Sequence, residues 1–344
     1  MTKNEKIVAF GEIMLRLTPP DYTTIAQAKN FIACHGGGEA NVLASLSHLG
    51  HHTSYLSKLP NNQLGDMAIK HLKGHGVDTE FIVKGAESSN IGMYFVETGF
   101  GGRPSKVLYN RKHSSITTIK TSEIDLDEIF SGATWFHLSG ITLALGDNVR
   151  AVAMACLEYC KEHNITVSFD FNYRSKLWNS ISEAKPYFQQ VIPYVNILFA
   201  NEFDMQQILE IHTEEDGSDI EKTRVSLAKT LFETTDIHYI FGTNRVVHTA
   251  TDNSMSSYCI CKNLDYKTEA PIRFPIYDRV GAGDAFAAGV IHALIKDYEH
   301  PEYALKFGLS TAVLAHTLYG DVATVSESDV EAFIQTNGNA AIQR

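Results

Sequence analysis

Short apolar segments alternate with amphipathic ones along most of this chain, and that alternation restricts its fold more than any other feature. Ile7–Phe10, Thr53–Ser57, Thr134–Leu138, Thr166–Asp170, Ile197–Ala200 and Ile237–Phe241 read as buried strands. Asn41–Leu49, Asp66–Gly74, Asp147–His163, Glu183–Val191 and Asp219–Phe232 repeat apolar residues at helical spacing. Strand–helix units of this kind build an α/β fold: a Rossmann-like, mostly parallel sheet covered by helices on both faces. A strand-rich stretch from Val246 to Phe274 follows, and then helices to near the end. No repeat, low-complexity tract or linker divides residues 1–344, so one domain is expected.

Two segments, about 13–34 and 90–112, break the rhythm. The first carries Pro19-Pro20 and no helical pattern. The second reads as two extended runs, Ile91–Thr98 and Ser105–Arg111, joined by Gly99, Gly101, Gly102 and Pro104. A small β lid projecting from the α/β body is the expectation. Val107, Tyr109 and Arg111 share one face by period two, and Tyr94 can lie on the matching face of the partner strand. A polar, aromatic face suits a lid over a small polar molecule, and an oligomer interface is the plainer reading.

The net charge is −11, and no Lys/Arg run of the nucleic-acid kind occurs. No apolar stretch is long enough to span a membrane, and residues Met1–Lys6 lack the features of a signal peptide, so the cytoplasm is the expected compartment. Of five cysteines, Cys156 and Cys160 fall on a helical apolar stripe, and Cys259 and Cys261 share a strand face. These are core patterns rather than metal or disulfide patterns. The fifteen histidines show no ligand spacing such as HExxH.

The most specific local signal is Asp278-Arg279-Val280-Gly281-Ala282-Gly283-Asp284, followed by a strongly helical run. A helix N-terminus offers unpaired N–H groups and a partial positive charge, and glycines let an anion approach them. Asp284 is either a helix cap or a general base beside that anion cradle. Gly36-Gly37-Gly38-Glu39-Ala40-Asn41 also leads into a helix. It fails as a dinucleotide fingerprint, because Asn41 stands where glycine is needed. Its N–H groups can bind ligand hydroxyls, or its glycines can serve close packing. Asp170–Arg174 ends a strand, where α/β folds gather functional groups. There Arg174 can hold a carboxylate or make a surface ion pair. The acids of Asn201-Glu202-Phe203-Asp204 can face Mg²⁺-bound water and phosphate, or simply favour a helix dipole.

Together these residues resemble the ribokinase-like (PfkB) carbohydrate kinases, and the 2-keto-3-deoxygluconate kinase branch in particular. The resemblance runs from Val8–Glu12 to His316–Asp321. Its branch signal lies in Leu108–Lys112, His137–Ile141, Asn172–Arg174 and Leu177-Trp178. It implies ATP and Mg²⁺ as cofactors, a small sugar acid as acceptor, and a homodimer or larger assembly. Gly37, Gly38, Asn41, Tyr94, Tyr109, Arg111, Arg174 and Asp321 would contact the sugar acid, with Arg111 and Arg174 at its carboxylate. Asn172, Asn201 and a loop at Gly242 would lie by the nucleotide, with Asp204 reaching Mg²⁺ through water. Gly281, Ala282 and Gly283 would stabilise the transferring phosphoryl group, and Asp284 would take the proton of the acceptor hydroxyl. Two positions depart from the family pattern. Asp204 stands where glutamate is usual, and Gly242-Thr243-Asn244-Arg245 lacks a second glycine. A kinase of a neutral sugar or nucleoside, and a non-catalytic sugar sensor on the same fold, are the alternatives.

Overall fold

The computed structural model describes residues 6–215, 217–336 and 338. The N-terminal residues read above for a signal peptide lie outside this range up to position 5. A nine-stranded sheet runs in the order Tyr266–Pro275, Asp252–Cys261, Tyr239–Thr249, Ile197–Phe199, Thr166–Asp170, Ala133–Ser139, Lys6–Phe10, His52–Leu59, Ile82–Lys84. The first three are antiparallel to one another and all other neighbours are parallel.

The strand Lys6–Phe10 shows why parallel strands read as unbroken apolar runs. Ile7 and Ala9 belong to the core on one face, with helices Gly38–His48, Ala282–Lys296 and Pro301–Ala315. Val8 and Phe10 belong to the core on the other, with Asp147–Glu162, Ile181–Val191 and Ile220–Thr234. Both faces are buried, so Ile7–Phe10 is apolar throughout, while Lys6 at the strand's start donates to the Ile129 carbonyl at 2.8 Å. Cys156 and Cys160 lie in the second core and Cys259 and Cys261 in the first, all as free thiols. No described helix is long and apolar enough to cross a membrane.

The strand expected to end at Phe241 instead runs to Thr249 as half of a long hairpin with Asp252–Cys261. The nucleotide loop expected at Gly242 is therefore strand. No second glycine interrupts the segment, and the β-branched Val246-Val247 continue the pairing.

The two interrupting segments form a separate four-stranded sheet, ordered Ile32–Gly36, Met14–Thr18, Met93–Glu97, Lys106–Asn110. Tyr94 stands opposite Tyr109, and the two rings stack at 5.9 Å. Leu17, Phe95 and Leu108 are register partners on the opposite face, where Leu108 is 59% exposed.

Candidate active site

A cleft of ≈ 430 Å³ lies between the lid and the carboxyl edge of the parallel strands. Two helices begin at its wall. Gly37 is the N-cap of Gly38–His48, and a Cβ there would sit 1.9 Å from the Glu12 carbonyl oxygen. Gly281 is the N-cap of Ala282–Lys296 with φ +84°, and a Cβ there would meet the Asp321 carbonyl oxygen at 1.9 Å. Only glycine meets both the left-handed backbone and the close approach at Gly281. No side chain caps this second helix, which leaves its first N–H groups for a ligand.

Asp284, in the first turn, does not serve as the cap. Its Oδ2 instead accepts from Asn41 Nδ2 at 2.7 Å, and Asn41 Oδ1 accepts from the Gly37 N–H at 3.2 Å. The glycine-rich turn thereby fixes the amide that orients the carboxylate. Burial pushes the Asp284 carboxyl well above its usual range. The charges of Asp170 and Asp321 add to this, while Asn41 and Arg174 oppose it. Burial also lifts Asp170 to about 7, against the pull of Arg174, and Asp204 to about 6.

Gly37, Gly38, Asn41, Tyr94, Tyr109, Arg111, Asn172, Arg174, Asp321 and the Gly281–Asp284 turn all line the cleft. A second lobe of ≈ 330 Å³ shares Asp170, Asn172, Arg174 and Gly283 with it, and adds Asn201, Asp204, Gly242 and Thr243. The structure thus brings the residues that the resemblance assigned to sugar, nucleotide and phosphoryl group to two adjoining lobes. Asn201 and Asp204 close a reciprocal turn: Asn201 N–H donates to Asp204 Oδ2 at 3.0 Å, and Asp204 N–H to Asn201 Oδ1 at 3.1 Å. Gly242 borders the second lobe, but its missing side chain makes room for the Tyr258 ring, 2.3 Å from where a Cβ would stand.

Three charged residues in the site had no role in the sequence reading. Arg16, on a lid strand and 0% exposed, donates to Asp321 Oδ1 and Asp278 Oδ2, each at 2.5 Å. Tyr94 Oη donates to the other oxygen of Asp321 at 2.5 Å. Asp321 is therefore fully engaged from the lid side. Glu12 is the second: it forms a buried ion pair with Arg111 and accepts from Ser114 Oγ. Arg111 is thus neutralised within the fold, while Arg174 stands exposed among carboxylates it does not bond. The third is Arg279, which lines the cleft. A lone arginine within the apolar run Met14-Leu15-Arg16-Leu17 was the available signal for the first. Glu39, by contrast, is structural: buried, its Oε1 accepts from Ser139 N–H, Ser139 Oγ and Thr142 Oγ1 at 2.9, 2.7 and 2.6 Å.

The sequence model of the pfkB family carbohydrate kinases matches residues 4–328. The chain is 33% identical to a 2-dehydro-3-deoxygalactonokinase of Haloferax volcanii, over 98% of this chain and 99% of that one. It superposes on the crystal structure of 2-dehydro-3-deoxygluconokinase from Thermotoga maritima with a TM-score of 0.90 at 37% identity, covering 96% and 99% of the two chains. A pfkB family carbohydrate kinase from Listeria grayi gives a TM-score of 0.89 at 30% identity, covering 96% and 100%.

Proposed function

The chain belongs to the pfkB family of carbohydrate kinases, and from that premise we propose that it transfers the γ-phosphoryl group of ATP to the terminal hydroxyl of 2-keto-3-deoxy-D-gluconate. The observation that carries this reading is the position of Asp284. It lies one residue beyond the Gly281–Gly283 turn, held by Asn41, in a cleft whose exposed cation is Arg174. Proton acceptor and anion cradle are contiguous, as in-line phosphoryl transfer requires.

In this reading the sugar acid lies between the Tyr94–Tyr109 stack and the glycine-rich turn, with its carboxylate on Arg174. Arg111 orients the sugar through Glu12 rather than taking the carboxylate itself. Asp284 accepts the proton of the attacking hydroxyl. The N–H groups of the Gly281–Gly283 turn meet the charge on the transferring group. Asn172, Asn201 and the edge at Gly242 line the nucleotide lobe. Mg²⁺, when bound with ATP, neutralises phosphate charge. Asp204 and Asp170 are the acids in place to hold its water shell, which suits an ion that keeps several waters. The lid excludes water, and its outer face, with Leu108 exposed and Leu17 and Phe95 half-buried, packs against a second copy. One kinase domain with two lid insertions, working in the cytoplasm beside its ATP supply, completes the proposal.

The named relatives act on epimeric acids, so the test is ADP release from MgATP with both 2-keto-3-deoxygluconate and its galactonate epimer, against fructose, ribose and adenosine. Turnover confined to the sugar acids, and lost in Asp284→Asn, is the expected result. Turnover with fructose, ribose or adenosine alone refutes the acidic acceptor, and no turnover at all favours a sugar sensor.

A further inference from the structure

Four arginines surround the cleft, and the fold neutralises only some of them. Arg16 has Asp278 and Asp321, and Arg111 has Glu12. Arg174 sits in the field of Asp170, Asp204 and Asp284. Arg279 lines the cleft with no carboxylate in ion-pair reach among the described residues.

Its neighbour is in the same condition. Arg245, on the strand Tyr239–Thr249, makes its single side-chain hydrogen bond to the Met255 sulfur at 3.8 Å. Burial, and then the charge of Arg279, lower the Arg245 guanidinium to about 10. The third member of the group, His316, adds no compensating charge. It is 0% exposed, its Nδ1–H donates to the Ala312 carbonyl at 2.6 Å, and its Nε2 is left without a partner. Burial and the two arginines hold it neutral, at about 4. Arg245 and Arg279 thus lie in each other's field, half-buried and with no carboxylate in ion-pair reach among the described residues, which leaves both open to an anion from outside the chain.

The location says which anion. Arg279 precedes the Gly281 N-cap by two residues, and Arg245 follows by three the Gly242 that borders the second lobe. Arg279 lines the same cleft as the Gly281–Asp284 turn, so its guanidinium belongs to the wall that holds the phosphoryl cradle. A planar guanidinium matches phosphate oxygens two at a time. Charge gathered on those oxygens in transfer is where an added donor raises kcat rather than binding alone.

We propose that Arg279, backed by Arg245, binds the phosphate oxygens of the nucleotide and of the group in transfer, as a catalytic residue separate from the arginine that holds the acceptor's carboxylate. The proposal rests on the kinase reading above.

The test compares wild type, Arg279→Gln, Arg279→Lys and Arg245→Gln in ADP release from MgATP with the preferred sugar acid. Thermal melts confirm that each variant folds. For Arg279→Gln we expect kcat to fall about a hundredfold or more, with KM for the sugar acid within about threefold of wild type. Arg279→Lys recovers part of the loss, and so does free guanidinium added to Arg279→Gln. Arg245→Gln shows a smaller loss in the same direction. An unchanged kcat overturns the proposal, as does a loss confined to KM for the sugar acid, which would make the anion the substrate's carboxylate. Should wild type turn over no acceptor, the substrate reading fails on its own. Calorimetric titration with ADP and with inorganic tripolyphosphate then still decides the arginine. Binding weakened about tenfold or more in Arg279→Gln supports it, and equal binding sinks it.

Discussion

Replacing Arg16 by methionine tests whether a buried charge, rather than packing, ties the lid to the catalytic edge. Methionine keeps most of the volume and removes the guanidinium. Two buried carboxylates, Asp278 and Asp321, then lose a hydrogen-bonded partner at 2.5 Å, and Arg16 itself is 0% exposed. Removing one partner of such a buried pair costs about 3–5 kcal/mol, because the remaining charge is stranded. With 344 residues at about 2.1 cal/mol/K each, the unfolding entropy is about 0.7 kcal/mol/K, so the melting temperature should drop by about 4–7 °C. The pH dependence separates charge from packing. Asp321 is already raised by burial, and Arg16 is the first influence opposing that. Without Arg16 its folded-state pKa rises further above the unfolded value. Such a group contributes stability that is present at low pH and lost as pH rises through the folded pKa. The gap between wild type and variant should therefore be widest near pH 8 and narrow toward pH 5.5. Urea unfolding at the two pH values measures it. A loss below about 1 kcal/mol, or a gap equal at both pH values, would refute the electrostatic reasoning.

Four further expectations concern the site. Asp284→Asn should lower kcat by about 10²–10⁴ with little change in stability, measured by coupled ADP release; a loss under about tenfold would move the base elsewhere. Asn41→Ala removes the hydrogen bond that holds the Asp284 carboxyl down, so the acid limb of kcat/KM should shift to higher pH. A limb that stays in place would separate it from Asp284. Arg174→Gln should raise KM for a sugar acid about tenfold or more while leaving that for ATP near wild type, and the reverse pattern would assign Arg174 to the nucleotide. Gly281→Ala forces a Cβ to within 1.9 Å of the Asp321 carbonyl at φ +84°, and should abolish turnover while the rest of the chain folds; an active alanine variant would mean the turn is not held in this form.

What could be read from the sequence was what is local. The alternation of strands and helices and the glycine turn that opens the helix at Ala282 are encoded in short stretches, and both are present in the fold. The Tyr94–Tyr109 pairing followed from period two along a hairpin. What was hidden depends on contacts between distant positions. Arg16 and Asp321 are 305 residues apart, and Glu12 and Ser114 are 102 apart. No spacing rule joins them. Gly242 misled for the same reason: a glycine in a plausible nucleotide loop owes its place to Tyr258 on the neighbouring strand. Arg279 stands within the motif, but its want of an ion-pair partner among the described residues shows only in the folded chain.

The carboxylates of the cleft divide by how they are held. Asp321 and Asp278 share one arginine, Glu12 has its own, and Asp170, Asp204 and Asp284 rely on burial and an exposed Arg174. Burial raises Asp170 to about 7, Asp204 to about 6 and Asp284 well above the usual carboxylate range, and it raises Asp321 too despite Arg16. An anionic nucleotide or sugar acid arriving alone would raise them further, since like charge disfavours ionisation. A divalent cation entering with the phosphates reverses the sign at close range. Asp170 and Asp204 would hold such an ion's water shell, and the positive charge supplied there would favour the ionised form of the carboxylates nearby. The same burial that raises Asp284 thus makes it a stronger proton acceptor once it is ionised.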